Sequence, residues 1–217
     1  MRSVVLAQCA NFRADIVMVI DSSGSIRDNN PQDGSYDNWN LLLQFVERII
    51  DDLYIETGQV RIGAVRFSTN AQNVFYLKEF ATSLDKNALK NKIRNMGYLG
   101  GHTNTAAAIN IMHHEQFRRE NGDRPDVQNI AIIITDGNST VNKQNTIPYA
   151  EAARKANIQV YTVGVTKGIK ISEVIGMSSL PQQLNHNYYL AKDFRTLNAE
   201  ADKLVLTMCK VLGKYVL

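Results

Sequence analysis

Two stretches, IVMVI at 16–20 and IAIII at 130–134, are apolar at every position and bounded by polar residues. A strand with one wet face alternates in polarity, whereas an uninterrupted run of this length belongs to a strand covered on both faces. Such a chain must supply helices to both sides of its sheet, and the remaining segments provide them. The expected order is strand 15–21, helix 39–54, strands 59–68 and 71–77, helix 86–96, loop 97–105 and helix 105–120. Strand 128–137, helix 146–156, strand 159–166, helix 171–179, strand 187–191 and helix 196–211 follow. Helical segments carry apolar residues at helical spacing, as in Leu42, Phe45, Val46, Ile49 and Leu53. Only Thr69 and Asn70 separate QVRIGAVRFS from AQNVFYL, so these form a hairpin and give the sheet one antiparallel edge strand. The fold class is α/β: a doubly wound, mainly parallel sheet whose right-handed crossovers gather loops at the strands' carboxyl edge, where ligands bind.

With 217 residues, 44% hydrophobic and 21% charged, and no low-complexity linker, the chain encloses one core. We assign the domain to 13–212, with 1–12 as an N-terminal extension carrying Cys9 and 213–217 as a C-terminal tail. The formal charge is only +3, and the basic cluster Arg118, Arg119 and Arg124 is diluted by Glu120 and Asp123, which argues against nucleic acid. No run is long enough to insert into a bilayer. The start, MRSVVLAQCANF, lacks a full signal-peptide apolar region and reads as an expression start or trimmed leader. Cys9 and Cys209 flank the patterned region; a bridge between them fits a secreted module, and two reduced thiols are the alternative.

Three polar loops fall at the carboxyl edge: DSSGS at 21–25, GGHTNT at 100–105 and TDG at 135–137. In the first, Gly24 permits a tight turn, and alternate spacing directs the Ser23 and Ser25 hydroxyls to one point beside Asp21. Thr103 adds a hydroxyl and Asp136 a carboxylate. Small hard oxygen donors that leave positions open suit Mg2+. Taken singly, the Asp and Ser residues read as helix caps and TDG as a turn; the meaning lies in all five side chains arriving together.

DSSGS, the threonine of GGHTNT and TDG, in that order on this alternation, resemble the metal-ion-dependent adhesion site of von Willebrand factor A domains, which have a Rossmann-like fold. The likeness spans residues 13–212 and points to the extracellular-matrix type, similar to domains of matrilins, non-fibrillar collagens and invertebrate shell or thread matrix proteins. It implies that Ser23 and Ser25 bind the ion directly, that Thr103 does so in the ligand-competent form, and that Asp21 and Asp136 act largely through water. The ion implied is Mg2+, with Mn2+ or Ca2+ as alternatives. Neutral hydroxyl ligands leave a dication underneutralised, so an acidic group of the partner completes its shell.

Some features depart from the family pattern or surround the site. Ala106 stands where glycine commonly follows TNT. The connection 26–39 is long and carries Asp28, Asp33 and Asp37, which form a rim for a partner, hold a calcium ion, or belong to a solvated insertion. His102 is a further rim residue, and Asn138 opens an Asn-Ser-Thr glycosylation sequon.

These readings converge on an extracellular, secreted adhesion module, part of a larger matrix protein, whose partner is another matrix protein, collagen first. The alternative is a structural matrix-assembly domain with metal-independent binding. No Walker loop, GxGxxG, GxSxG or HExxH occurs, and the expectation is no enzyme. Family resemblance also implies a final helix, with Leu204, Leu206 and Val211, able to slide between states; a bridge at Cys209 opposes that slide, so we expect fixed affinity.

Overall fold

A computed structural model describes residues 9–165 and 168–212, excepting the side chains of Val211 and Leu212. The expected leader, Thr166 at the end of the 159–166 strand, the tail 213–217 and the Val211 side chain lie outside it. In chain order the elements are β1 (Ala14–Asp21), α1 (Gly24–Asp28), α2 (Asn38–Asp51), β2 (Val60–Phe67), β3 (Ala71–Phe75), α3 (Lys86–Arg94), α4 (Thr105–Ile111), β4 (Gln128–Thr135), α5 (Lys143–Lys155), β5 (Ile158–Val165), α6 (Ile171–Met177), β6 (Tyr188–Ala191) and α7 (Asn198–Leu212).

Every residue of β1 is buried, as its unbroken apolar run requires. Successive side chains enter opposite layers. Ile16, Met18 and Ile20 pack with α2, α3 and α7, while Val17 and Val19 pack with α4 and α5. β4 divides the same way, with Ile130, Ile132 and Ile134 on one side and Ala131 and Ile133 on the other. The six strands lie in the order β3-β2-β1-β4-β5-β6. All pairs are parallel except the β2–β3 hairpin, so the antiparallel strand is at the edge. β1 pairs in register with β2 from Ala14↔Val60 to Asp21↔Phe67 and with β4 from Ala14↔Gln128 to Ile20↔Ile134. Strand order reverses between β1 and β4, and loops leaving them diverge to open a crevice at their carboxyl ends.

At the other end of β1, Asp15 is fully buried. Arg124 surrounds it: its backbone N–H donates to Oδ2 at 2.7 Å, and Nε and Nη2 donate to Oδ1 at 2.9 and 2.7 Å. The guanidinium also ties down the carbonyls of Gly58, Ala14 and Gln59. Burial pushes the Asp15 carboxyl up from its ordinary value, and the Arg124 contacts oppose that shift. Arg124, which the sequence places with a basic cluster diluted by acids, is thus a structural clamp.

Cys9 and Cys209 form a disulfide with Cα atoms 5.1 Å apart, and both are buried with Phe12 in the larger core layer. α7 is held a second time by Arg48, which bonds Asp202 at 2.6 Å and Asp52 at 3.1 Å.

The expected helix 105–120 requires correction. It is α-helical only to Ile111, widens into a π turn at Met112–Gln116, and gives way to a 3-10 turn at Arg119–Asn121. Gln116 sits at the change: its fully buried carboxamide nitrogen donates to Asn73 Oδ1 at 2.8 Å, Phe75 O at 3.0 Å and Ala64 O at 3.3 Å. These acceptors flank the irregularity between β2 and β3. The π turn thus places the Gln116 amide against buried carbonyls that would otherwise lack this donor.

Opening the disulfide, by reduction or by Cys209→Ser, frees a loop of 200 residues in the unfolded chain and is expected to cost about 5 kcal/mol on the loop-entropy model. Urea denaturation with and without reductant reads the loss; coincident curves would contradict it. Arg124→Gln strands a buried carboxylate and is expected to lower unfolding free energy by about 3–5 kcal/mol in the same assay.

Candidate metal centre

The crevice between β1 and β4 receives Asp21 from the last position of β1 and Asp136 from directly after β4. Asp21 is fully buried. Its Oδ1 accepts from the Ser23 N–H at 2.8 Å and its Oδ2 from the Thr135 hydroxyl at 2.6 Å. No lysine or arginine pairs with Asp21 among the described residues, in contrast to Asp15 at the opposite end. The Ser25 hydroxyl donates to Asp136 Oδ1 at 2.7 Å and lies 3.2 Å from the Ser23 hydroxyl. A Cβ placed on Gly137 would lie 3.3 Å from Ser25 Oγ and 3.6 Å from Thr103 Oγ1, so both hydroxyls border that glycine. The structure therefore brings Asp21, Ser23, Ser25 and Asp136 into one bonded cluster, with Thr103 beside the same glycine, Gly137, as Ser25.

Burial raises the Asp21 carboxyl against hydrogen bonds from Thr135 and Ser23. Burial, and then the charge of Asp21, push Asp136 up to about 7. Two sheltered carboxyl groups that resist ionising together form a site whose charge a cation relieves. The donors are hard oxygens, and only two are acids; among the described residues no three His, Cys, Asp or Glu side chains converge. This donor set fits a small hard dication left short of negative charge.

Several residues the sequence reading passed over hold the loops together. Ser22 accepts the Leu99 N–H on its hydroxyl and the Gly100 N–H on its carbonyl, both at 2.9 Å. The Tyr98 hydroxyl donates to Ser23 O at 2.8 Å. Thr103 is fixed by its N–H to the Thr140 hydroxyl at 3.0 Å and its carbonyl to the Thr140 N–H at 2.8 Å. Asn29 donates to Ser25 O at 2.8 Å, with Asp136 Oδ2 at 3.5 Å. The one available signal was position: Ser22, Tyr98, Thr135 and Thr140 stand inside or next to the three motifs. Gly24 is needed for a reason other than turning. Its N–H donates to Gly101 O at 2.8 Å, and a Cβ would stand 3.2 Å from that oxygen.

The acidic connection is braced. Asp37 caps α2 by accepting the Trp39 N–H and pairs with Arg27 at 2.9 Å. The Arg27 guanidinium lies 4.4 Å from the centroid of the Tyr98 ring. Asp33 turns back to the Ser35 N–H at 3.0 Å, while Asp28 lies beside Gly24. The three aspartates do not converge, and the calcium reading of this loop is set aside. His102 is exposed, its N–H donating to Thr69 Oγ1 at 3.0 Å. Asn138 is exposed, but its side-chain oxygen accepts from the Lys170 N–H. The middle residue of the sequon, Ser139, is buried and donates to Glu173 at 2.6 Å.

Comparison with known proteins agrees with this fold. The family model for the von Willebrand factor type A domain matches residues 15–203. The transmembrane cell adhesion receptor mua-3 of Caenorhabditis elegans is 32% identical over 93% of this chain, which spans 5% of that receptor. Human Matrilin-1 is 29% identical over 90% of the chain, which spans 36% of it. Proximal thread matrix protein 1 from the mussel byssus, solved with a zinc-occupied MIDAS motif, superimposes with a TM-score of 0.81 at 22% identity, covering 92% of this chain and 48% of that one.

Gly24→Ala places a methyl group against the Gly101 backbone, which cannot retreat without parting the first two loops. We expect a loss of about 1–3 kcal/mol in chemical denaturation; an unchanged midpoint would show that the loops yield freely.

Proposed function

The chain belongs to the von Willebrand factor type A domain family, and from that premise we propose that it is an extracellular adhesion module gripping an acidic partner through a bound divalent ion. The observation that carries this reading is the convergence of Asp21, Ser23, Ser25 and Asp136 from two strand ends on one sheltered point, with the Thr103 hydroxyl of a third loop beside Gly137. Ser23, Ser25 and Thr103 would hold the ion by hydroxyl oxygens, and Asp21 and Asp136 would act through bound water. When bound, the ion supplies an electrophilic position that a carboxylate from outside completes. The chain's own residues set that position: Thr135 and the Ser23 N–H orient Asp21, Ser25 orients Asp136, and Thr140 fixes Thr103.

We assign Mg2+ as the ion. The zinc in the mussel byssus protein's motif supports a divalent ion at this position. The partner proposed is a matrix protein, first a collagen triple helix, whose X and Y positions expose side chains, acids among them. The unit is residues 13–212 within a longer protein, since the chain spans a minor part of mua-3 and Matrilin-1. No described helix is long and apolar enough to cross a membrane.

Ser23→Ala or Asp136→Ala is expected to abolish Mg2+-dependent collagen binding while the far-UV dichroism stays native. Thr135→Val, which removes a hydroxyl from Asp21, is expected to weaken Mg2+ by about 10–100-fold in calorimetric titration. Full partner binding in excess EDTA would replace this reading with a metal-independent assembly domain.

A further inference from the structure

A groove leads from the metal-bearing loops along the outermost strand. Its first part, a cleft of about 220 Å³, is walled by Ser68, Thr69, Gln72 and Leu99. Thr69 accepts the His102 N–H on its hydroxyl and the Asn104 side chain on its carbonyl, so this wall is bonded to the residues on either side of Thr103. Leu99 is 43% exposed, although its N–H is fixed to Ser22. A large apolar side chain is therefore held open to solvent by a rigid backbone. The second part, of about 410 Å³, shares Gln72 and is walled by Arg66, Val74, Lys92, Met96 and Gly97.

Among the described residues the charges of this groove are uncompensated. Along α3, Lys86 pairs with Glu56, Lys90 with Asp51 and Arg94 with Glu47. Lys92, on the same helix and exposed, has no carboxylate within ion-pair distance among the described residues. Arg66 bonds the neutral Gly97 carbonyl and has no carboxylate within ion-pair distance among the described residues. Two cations without counter-ions thus stand beyond an exposed leucine, on a path that begins beside the proposed ion.

We propose that this groove is a second anchor for the partner, taking an extended acidic polypeptide segment with an apolar side chain against Leu99 and a carboxylate between Arg66 and Lys92. The inference rests on the metal-completed reading of the site, and it gives the occupant of this groove as a single extended acidic segment of a matrix protein and not as an intact triple helix. A sulfated polysaccharide would call for a denser row of cations and gain little from Leu99, Val74 and Met96.

The test is fluorescence anisotropy with a labelled peptide of alternating Glu and Leu, its Gln-and-Leu counterpart, and labelled heparin, each in Mg2+ and in EDTA. The Glu peptide is expected to bind more tightly than the Gln peptide. Arg66→Gln with Lys92→Gln should weaken it by about tenfold, and Lys92→Gln alone, at an exposed helix position, by about threefold. Leu99→Ser should weaken both peptides. Unchanged affinity in Lys92→Gln and Leu99→Ser overturns the groove, and loss in Ser23→Ala beside it leaves the metal reading standing. Weakening by Lys92→Gln in EDTA as well as in Mg2+ supports the groove, and Glu-peptide affinity equal in Mg2+ and EDTA removes the metal reading while leaving the groove standing. Heparin binding that the variants weaken, without binding of the Glu peptide, overturns the polypeptide occupant.

Discussion

β1 is buried on both faces and hydrogen-bonded on both edges, with an aspartate near each end, and the molecule is organised around how those two acids are accommodated. Asp15 receives a guanidinium whose remaining donors close off neighbouring carbonyls. Asp21 receives a hydroxyl and a backbone N–H. One end is neutralised within the chain and serves stability. The other keeps negative charge in a sheltered place, at the point where strand order reverses and the loops part. The same burial that makes β1 a rigid support makes an uncompensated carboxylate at its tip costly, and a cation is what that tip accommodates best.

Rigidity at the site comes from the backbone more than from the candidate ligands. Ser22, Tyr98 and Gly24 join the first loop to the second, and Thr140 joins the second to the third. Each joint spends a polar group that would otherwise lack a partner in a poorly hydrated crevice. The candidate ligands are thereby relieved of joining the second loop to its neighbours, and their own side-chain bonds, Ser25 to Asp136 and Asp21 to Thr135, link the first loop to the third. The long acidic connection contributes through Arg27, which links Asp37 to the Tyr98 ring, so an apparent insertion acts as a brace. On the far side of the molecule the disulfide and the Arg48–Asp202 pair hold α7 to the core, concentrating anchorage on the final helix away from the binding face.

The strand and helix order, the antiparallel edge strand and the five side chains at the carboxyl edge were legible because each depends on local pattern: runs of apolar residues, helical spacing, and polar residues directly after a strand. The helix at 105–120 was misread from Met112 onward because composition there favours helix, whereas the Gln116 bonds to the Ala64 and Phe75 carbonyls, which accompany the π turn, join it to strands far away in the chain. Asp37 read as a rim acid because its sequence neighbours are acids and turn formers, while its partner Arg27 is ten residues away across a fold of the chain.

By itself, then, the sequence determined a doubly wound sheet, its buried central strands, and an oxygen-rich site with two acids and three hydroxyls. Tertiary structure decided which charges remain open. Arg124 is consumed by Asp15 109 residues away, and Lys92 and Arg66 are left over on one groove. Whether a charge is spent or available depends on which side chains meet across loops and layers, and that distance in space is not written in their distance along the chain.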